Sequence, residues 1–170
     1  MKQRKKKIEH DLCSDSGFSL VELVVVVLIM AIIAVALAPQ VLKWVNNSRI
    51  ATDMDLQDSL QGFVQVTVLG NEAANVVAVN NGAALVADNS GTQLLKLKDD
   101  GTPDYGNPYT DSGSEKPLYD KFREVSGAAD LSKMKTKIKG AKVIVKVSKD
   151  STRITAEYIA ADGSSIEMED

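Results

Sequence analysis

One continuous apolar stretch near the start of the chain limits its possible folds more than any other feature. Residues 18–38 are apolar except for Ser19 and Glu22. In an α-helix these residues would extend about 31 Å, close to the thickness of the hydrocarbon core of a bilayer. The stretch therefore predicts a membrane-spanning helix. A carboxylate inside such a helix is costly in lipid, which makes Glu22 a candidate functional residue.

The charged residues around this stretch predict its orientation. Five of the 20 basic residues lie in the first seven positions, and three of the 23 acidic residues lie within residues 1–17. By the positive-inside rule, the N-terminus is expected in the cytoplasm and the bulk of the chain outside. Without residues 1–17 the chain keeps 15 basic and 20 acidic residues, a net charge of −5. This acidity argues against a general nucleic-acid binder, because phosphate contacts need clustered Lys and Arg.

Residues 1–17 are basic, then polar, which is typical of a targeting segment. An ordinary secretory signal is cleaved after its apolar region, and the small residues Ala36 and Ala38 keep such a cleavage open as an alternative. Cys13 is the single cysteine of the chain, so an intrachain disulfide is excluded. We expect Cys13 to have no special role in this tail, with a reactive thiol or a lipid acceptor as alternatives.

A resemblance to a known family lies in residues 17–39, GFSLVELVVVVLIMAIIAVALAP. They resemble the N-terminal signature of type IV prepilins and pseudopilins. The matching positions are Gly17 before the cut, Phe18 as the new first residue, Glu22 four places on, and Pro39 at the far end of the aliphatic helix. The resemblance implies an α+β, pilin-like fold, in which a long N-terminal helix packs on a C-terminal antiparallel β-sheet.

The resemblance also implies how the chain is processed and what it binds. A prepilin peptidase would cut between Gly17 and Phe18 on the cytoplasmic side, and the new amine of Phe18 would be methylated. A glycine before the cut leaves the backbone unhindered for a narrow peptidase cleft. Before assembly, the chain would be a single-pass protein of the cytoplasmic membrane, held in the lipid bilayer. It would then polymerise with itself and other pilins, through an inner-membrane assembly platform, into an extracellular or cell-envelope filament.

Glu22 and the processed N-terminus carry opposite charges one helical turn apart. Burying either charge alone costs several kcal/mol, whereas the amine of Phe18 in a neighbouring subunit would neutralise the Glu22 carboxylate. Glu22 is therefore expected to set the register between subunits. Ser19 is expected to cap the first turn or to bond back to the helix.

Pro39 and Ala31 concern the stiffness of the same helix. Pro39 removes a backbone donor and is expected to kink or interrupt the helix before it. In the family the helix loosens ahead of this proline when subunits pack into a pilus. Many members carry a glycine midway, where this chain has Ala31. Alanine is the better helix former by about 1 kcal/mol, which favours a stiffer rod.

Three segments are therefore predicted: a leader (1–17) that is removed, a membrane-spanning and assembly half of the long helix (18–39), and a soluble head (40–170). The head begins with an amphipathic helix that continues to about residue 69. Its apolar positions recur at offsets near three and four, and they are Leu42, Val45, Ile50, Met54, Leu60, Phe63, Val64 and Thr67. The polar residues between them, Asp53 included, are expected to face solvent.

The rest of the head predicts a small antiparallel sheet with short helices. Residues 71–88 are compatible with short helices or a hairpin, and residues 117–125 with a short helix. Predicted strands, separated by turn residues, are 93–98, 141–148, 153–159 and 166–168. Residues 102–116 are rich in Pro, Gly, Asp, Asn and Ser and predict a loop.

Residues suited to catalysis are scarce in the mature chain. His10 is the only histidine and precedes the predicted cut, which excludes a Ser-His-Asp or Cys-His arrangement in its usual form. The glycines form no phosphate-binding loop between a strand and a helix. We therefore predict a protein that is not an enzyme, has no cofactor and no metal, and has no direct nucleic-acid site.

Acidic and aromatic side chains of the predicted loop and of the turn before it, residues 99–101, leave two alternatives open. Its acids are expected to be solvated, with Ca²⁺ binding as the alternative. These acids are Asp99, Asp100, Asp104 and Asp111. Tyr105 and Tyr109 are expected to be exposed, with contact to a surface or ligand as the alternative.

Two classes of function remain from these patterns. The favoured one is a structural subunit of a type IV pilus or of a pseudopilus. The alternative is a single-pass, membrane-anchored extracellular binding domain that does not polymerise. The mature N-terminus separates them, because a methylated Phe18 would support the first class, whereas an intact Met1 or a start after Ala38 would overturn it.

Overall fold

The computed structural model describes residues 18–127 and 133–168 of the chain. Gly17, Cys13 and His10 lie outside the described residues. The chain divides into two compact units, Met1–Lys43 and Trp44–Asp170.

A single long helix, α1, spans Leu20–Val68 and so confirms the prediction of one continuous helix. Pro39 lies inside α1 and does not interrupt it. The residues around Pro39 are mostly Ala, Leu and Val, and the loss of one backbone donor does not end a helix in such a context. Every described side chain from residue 18 to residue 49 is exposed. By length and composition, α1 can cross a membrane, with a mean hydropathy of 3.2 over its most apolar window.

The remaining elements are short and belong to the second unit. They are α2 (Asn71–Val79), β1 (Ala83–Ala87), β2 (Thr92–Leu97), β3 (Pro103–Pro108), α3 (Lys116–Ser126), β4 (Lys142–Val147), β5 (Ile154–Ile159) and β6 (Ser165–Met168). The six strands of the described residues form one sheet in the order β3-β2-β1-β4-β5-β6. All of their pairings are antiparallel. The predicted α+β, pilin-like fold is thus confirmed.

The main core lies between one face of this sheet and the helices. Leu60 and Val64 of α1 are buried in one cluster with Leu85, Val145 and Tyr158 of the sheet. The alternation of Lys with aliphatic residues in β4 places Val143, Val145 and Val147 on this face, since successive strand residues point to opposite sides. Burial of such side chains is the main stabilising contribution, at about 1.5–3 kcal/mol for each.

A second, smaller cluster lies on the opposite face of the sheet. It contains Ala84, Val86, Leu95 and Ile144. β3 is irregular here, because Pro108 pairs with Leu95 and Pro103 pairs with Leu97, which leaves residues 104–107 as a bulge.

Tyr105 of this bulge contacts a distant strand. Its ring lies 5.4 Å from Nζ of Lys142 on β4, although β1 and β2 lie between β3 and β4 in the sheet. Lys142 alternates with Val143 and so projects from the face of the second cluster. The bulge therefore reaches across that face.

The strand β3 contradicts the predicted loop over residues 102–116. Its proline positions, Pro103 and Pro108, are acceptable because β3 is an edge strand, where one side needs no ladder partner. Residues 71–88, left open between helices and a hairpin, form α2 followed by β1. The predicted helix over residues 117–125 is confirmed as α3, which is followed by Gly127 in the left-handed conformation (φ 61°).

Candidate assembly site and the contacts that hold the head

The predicted site residues lie at the start of α1. Phe18 and Ser19 precede the helix, and the Phe18 side chain is 87% exposed. Glu22 lies in the first turn, where its Oε2 accepts a hydrogen bond from the backbone N–H of Ser19 at 3.2 Å. Ser19 and Glu22 stand at the first and last positions of the S-x-x-E capping box, and this bond is one of its two hydrogen bonds.

Glu22 therefore has a role that its sequence position alone did not predict. Its carboxylate satisfies a backbone donor at the helix start, where the partial positive charge of the helix also favours an anion. The spacing of Ser19 and Glu22 carried this signal in the sequence. The carboxylate is thus held beside the position where processing would create the Phe18 amine.

The apolar surface of α1 has no partner within the described residues. Side chains from Leu20 to Val45 are exposed, including large aliphatic ones such as Leu28 and Ile32. An exposed apolar surface of this length marks a membrane or protein interface. Ala31 and Pro39 both lie on this part of the helix, and the predicted loosening ahead of Pro39 stays a prediction for the packed filament.

Asp53 lies on the buried side of α1, which corrects its predicted exposure. It is fully buried, and its two carboxylate oxygens accept backbone N–H bonds from Lys137 at 2.5 Å and Ile138 at 3.1 Å. The buried positions Asp53, Gln57, Leu60, Val64 and Thr67 follow one helical stripe. The spacing of three or four residues between buried positions, continued back from Leu60, reaches Asp53. The charge of Asp53 nevertheless favours an exposed position, which is why the sequence predicts the wrong side of the helix for it.

The segment that Asp53 binds, residues 133–141, is also attached to the sheet. Thr136 donates its N–H to the carbonyl of Asp88 at 3.0 Å and its hydroxyl to the carbonyl of Ala141 at 3.2 Å. Asn89 donates its amide to the carbonyl of Thr136 at 3.1 Å, and Thr92 donates its hydroxyl to the carbonyl of Met134. These bonds hold an irregular segment between α1 and the β1–β2 turn.

Gln57 is buried one turn after Asp53, but the hydrogen-bonding capacity of its side chain is not fully used. Its Nε2 has no hydrogen-bond partner within the described part of the chain. An unsatisfied buried donor costs about 1–3 kcal/mol. The unpaired Nε2 therefore offsets part of the stabilisation that burial of the Gln57 side chain provides.

A cluster of polar side chains joins β2, the residues after β3, and the start of α3. Nζ of Lys96 lies 2.6 Å from a carboxylate oxygen of Glu115 and 5.6 Å from the ring centroid of Tyr109. Thr110 donates its N–H to Glu115 at 2.8 Å. Burial raises the pKa of Glu115, but the Lys96 ammonium and the Thr110 donors outweigh it and bring the pKa below its usual value.

Tyr109 is buried, so the prediction of an exposed loop tyrosine is wrong for this residue. Its side chain is 4% exposed and its hydroxyl donates to the carbonyl of Gly82 at 3.0 Å. Gly82 has a φ of 107°, and a Cβ there would lie 2.9 Å from the backbone oxygen of Val147, so this position needs glycine. Burial, and then the charge of Glu115, raise the pKa of Tyr109. Tyr105, in contrast, is 54% exposed, as predicted.

Two of the four acidic side chains considered as calcium ligands accept local hydrogen bonds that stabilise turns. Asp100 accepts hydrogen bonds from the N–H of Thr102 at 2.9 Å and its hydroxyl at 2.6 Å, and these bonds lower the pKa of Asp100. Asp104 accepts the N–H of Gly106 at 3.1 Å. Across residues 18–127 and 133–168, no group of three His, Cys, Asp or Glu side chains converges on a possible metal position.

Comparisons with known proteins agree with the geometry at the helix start. Residues 13–38 match the prokaryotic N-terminal methylation motif, the signal of class III prepilins. No curated protein and no solved structure matches the chain significantly. The motif supports the resemblance to type IV prepilins and pseudopilins and points to a structural subunit rather than an enzyme. It implies processing by a prepilin peptidase and assembly with other pilins, and the apolar helix is consistent with a membrane-anchored precursor.

Proposed function

We propose that this chain is a prepilin that is cut between Gly17 and Phe18, methylated at the Phe18 amine, and polymerised into a type IV pilus or pseudopilus filament. The observation that carries the proposal is the methylation motif over residues 13–38, together with an apolar helix surface that has no partner within the described residues. The precursor would be a single-pass membrane protein with its N-terminus in the cytoplasm. In the filament, which lies outside the cytoplasmic membrane, this surface would be covered by the helices of neighbouring subunits.

Glu22 supplies the specificity of this assembly. Within one subunit its carboxylate accepts a neutral donor at the helix start, the N–H of Ser19. A methylated Phe18 amine from a neighbour would add a positive charge to this carboxylate in a water-free interior, where an unpaired charge is destabilising. Subunits that slip along the filament axis would leave both charges unpaired, so the pair selects one register.

The first test of the proposal is the mature N-terminus. Mass spectrometry of the protein from its own host, with and without the prepilin peptidase, should give a methylated N-terminal Phe18 only when the peptidase is present. A chain that retains Met1, or one that starts after Ala38, would contradict the proposal. The second of these results would establish conventional signal cleavage.

The second test is the substitution Glu22→Val, with Asp58→Ala as the matched control. Both variants lose one acidic side chain of α1, but Asp58 is exposed in the head and lies outside the apolar surface. We expect Glu22→Val to insert into membranes as well as the wild type or better, since a charge in lipid is costly. It should form no filaments in electron micrographs of the host surface, whereas Asp58→Ala should form normal ones. Normal filaments from Glu22→Val would contradict the proposed assembly.

A further inference from the structure

The uncharged part of α1 has a length that fits a bilayer closely. After Glu22 the next charged residue is Lys43, so residues 23–42 carry no charge. These residues belong to one continuous helix and would extend about 30 Å, which equals the usual thickness of the hydrocarbon core. Glu22 and Lys43 therefore lie at opposite ends of a segment that matches the apolar part of a membrane.

Trp44 follows this segment directly and is the only tryptophan of the chain. Its side chain is 69% exposed, and thus does not belong to the core of the head. Val45 and then the polar residues Asn46 and Asn47 follow in the sequence, so the apolar surface ends close to Trp44. An exposed tryptophan at such an end resembles the aromatic residues enriched at membrane–water interfaces, where the ring contacts lipid and the indole N–H contacts water.

We propose that Trp44, assisted by Lys43, anchors the precursor at the outer boundary between lipid headgroups and hydrocarbon. The occupant of this exposed surface is the bilayer interface itself. Lys43 can extend its ammonium toward the phosphate groups while its methylene chain stays in apolar surroundings. Because the segment between is one bilayer in length, Trp44 at the outer boundary places Glu22 at the inner one. Trp44 thereby limits the depth to which the Glu22 charge enters the membrane, and this role rests on the membrane-anchored precursor of the proposed function.

The sole tryptophan makes the position of this residue directly measurable. The full-length, unprocessed chain is reconstituted in vesicles of phosphatidylcholine and phosphatidylglycerol that contain nitroxide lipids, labelled either near the headgroup or near the chain end. We expect the headgroup-proximal label to quench Trp44 more strongly than the deep label. A matched control is Ile32→Trp on a Trp44→Phe background, since residue 32 lies 12 positions earlier, near the middle of the uncharged segment. Its depth of maximal quenching should lie about 18 Å along the helix from that of Trp44.

A third variant separates an anchor from a residue that is merely nearby. The Ile32→Trp reporter is compared on a Trp44→Phe background, which keeps an aromatic ring, and on a Trp44→Ala background, which does not. If Trp44 fixes the depth, the Ala background should make quenching by the two labels more equal, because the helix then occupies a wider range of depths. Identical quenching profiles in the two backgrounds would overturn the anchoring role.

Flotation of the vesicles distinguishes failure of this inference from failure of the proposed function. If the chain floats with the vesicles but Trp44 is unquenched, or is quenched best by the deep label, the inference is wrong and the membrane-anchored precursor stands. If the chain does not float with the vesicles at all, both the inference and the membrane-anchored precursor are overturned. A protein neighbour as the occupant of this surface would give the first of these results.

Discussion

Two buried polar side chains on the same face of α1 differ in whether their hydrogen bonds are made. Asp53 has backbone partners for both carboxylate oxygens, whereas Nε2 of Gln57 has none within the described residues. A buried polar group stabilises a fold only when its hydrogen bonds are made, because its loss of water must be compensated. Substitutions at the two positions should therefore change the free energy of unfolding in opposite directions.

The substitution Asp53→Ala is expected to destabilise the head strongly. It would leave the N–H groups of Lys137 and Ile138 buried without an acceptor, which costs about 1–3 kcal/mol for each group. We expect the free energy of unfolding of the full chain in detergent to fall by about 3 kcal/mol, measured by urea titration and circular dichroism. Asp55→Ala, at an exposed position of the same helix, is the control and should change it by less than about 0.5 kcal/mol. Equal effects of the two substitutions would contradict the role assigned to Asp53.

The substitution Gln57→Leu is expected to stabilise the head. Leucine removes the unsatisfied Nε2 donor and keeps a side chain of similar size against the main core. We expect a gain of about 1 kcal/mol in the free energy of unfolding, in the same urea titration. Gln61→Leu, one turn further along α1 at a position that is only partly buried, should gain less. A loss of stability in Gln57→Leu would show that this amide has a partner in solution.

At the level of elements, the cluster around Tyr109 joins α2, β2 and α3 by contacts that depend on pH. The hydroxyl of Tyr109 bonds Gly82, which follows α2, and its ring lies beside Lys96 of β2. Burial raises the pKa of Tyr109 above the value of about 10 expected in the unfolded chain. The folded state then holds the phenolic proton more tightly than the unfolded state does, so the contribution is complete below about pH 10 and is lost as the pH rises further.

The substitution Tyr109→Phe tests this connection between the elements. At pH 8 it should lower the free energy of unfolding by about 1 kcal/mol, because the hydrogen bond to Gly82 is lost. Above about pH 10, the free energy of unfolding should fall less steeply with pH in the variant than in the wild type. Some loss should remain in the variant, because burial also raises the pKa of Tyr158. Urea titrations between about pH 8 and 11 measure both effects, with Tyr105→Phe at an exposed position as the control at pH 8. Parallel pH profiles of wild type and Tyr109→Phe would refute the proposed linkage.

The same elements show how far the sequence predicts this fold. Strands β4 and β5 were predictable because alternation along a half-buried strand is a local pattern, and α1 because its periodicity continues over many turns. β3 was not predictable, since Pro103 and Pro108 are typical of loops and their acceptance depends on an edge position that the sequence does not show. Tyr109 was assigned as exposed for the same reason, because its burial depends on the distant Leu94 and Gly82. The processing residues Gly17 and Phe18 come from a local motif and stay predictions until the mature N-terminus is measured.

At the level of the whole molecule, burial and exposed apolar surface lie in different parts of the chain. All of the buried residues within the described ranges come from Asp53 or later, whereas residues 18–49 are exposed. The division of the chain into units falls between Lys43 and Trp44, ahead of every buried residue in those ranges. One part of the sequence thus specifies a stable core, and the other part carries an exposed apolar surface.

A chain that begins at Trp44 is therefore expected to fold by itself. It keeps the buried side chains of the described ranges and loses the apolar surface of residues 18–42, so it should be soluble without detergent. Its free energy of unfolding should lie within about 0.5 kcal/mol of that of the full chain in detergent, as expected when only exposed residues are removed. Circular dichroism, urea titration and gel filtration measure its folding, stability and solubility. Starting the chain at Leu56 instead removes Asp53 and the bonds it accepts from residues 137 and 138, and this fragment should be clearly less stable. An unfolded or aggregated chain from Trp44 would show that the head needs the apolar half of α1 for its fold.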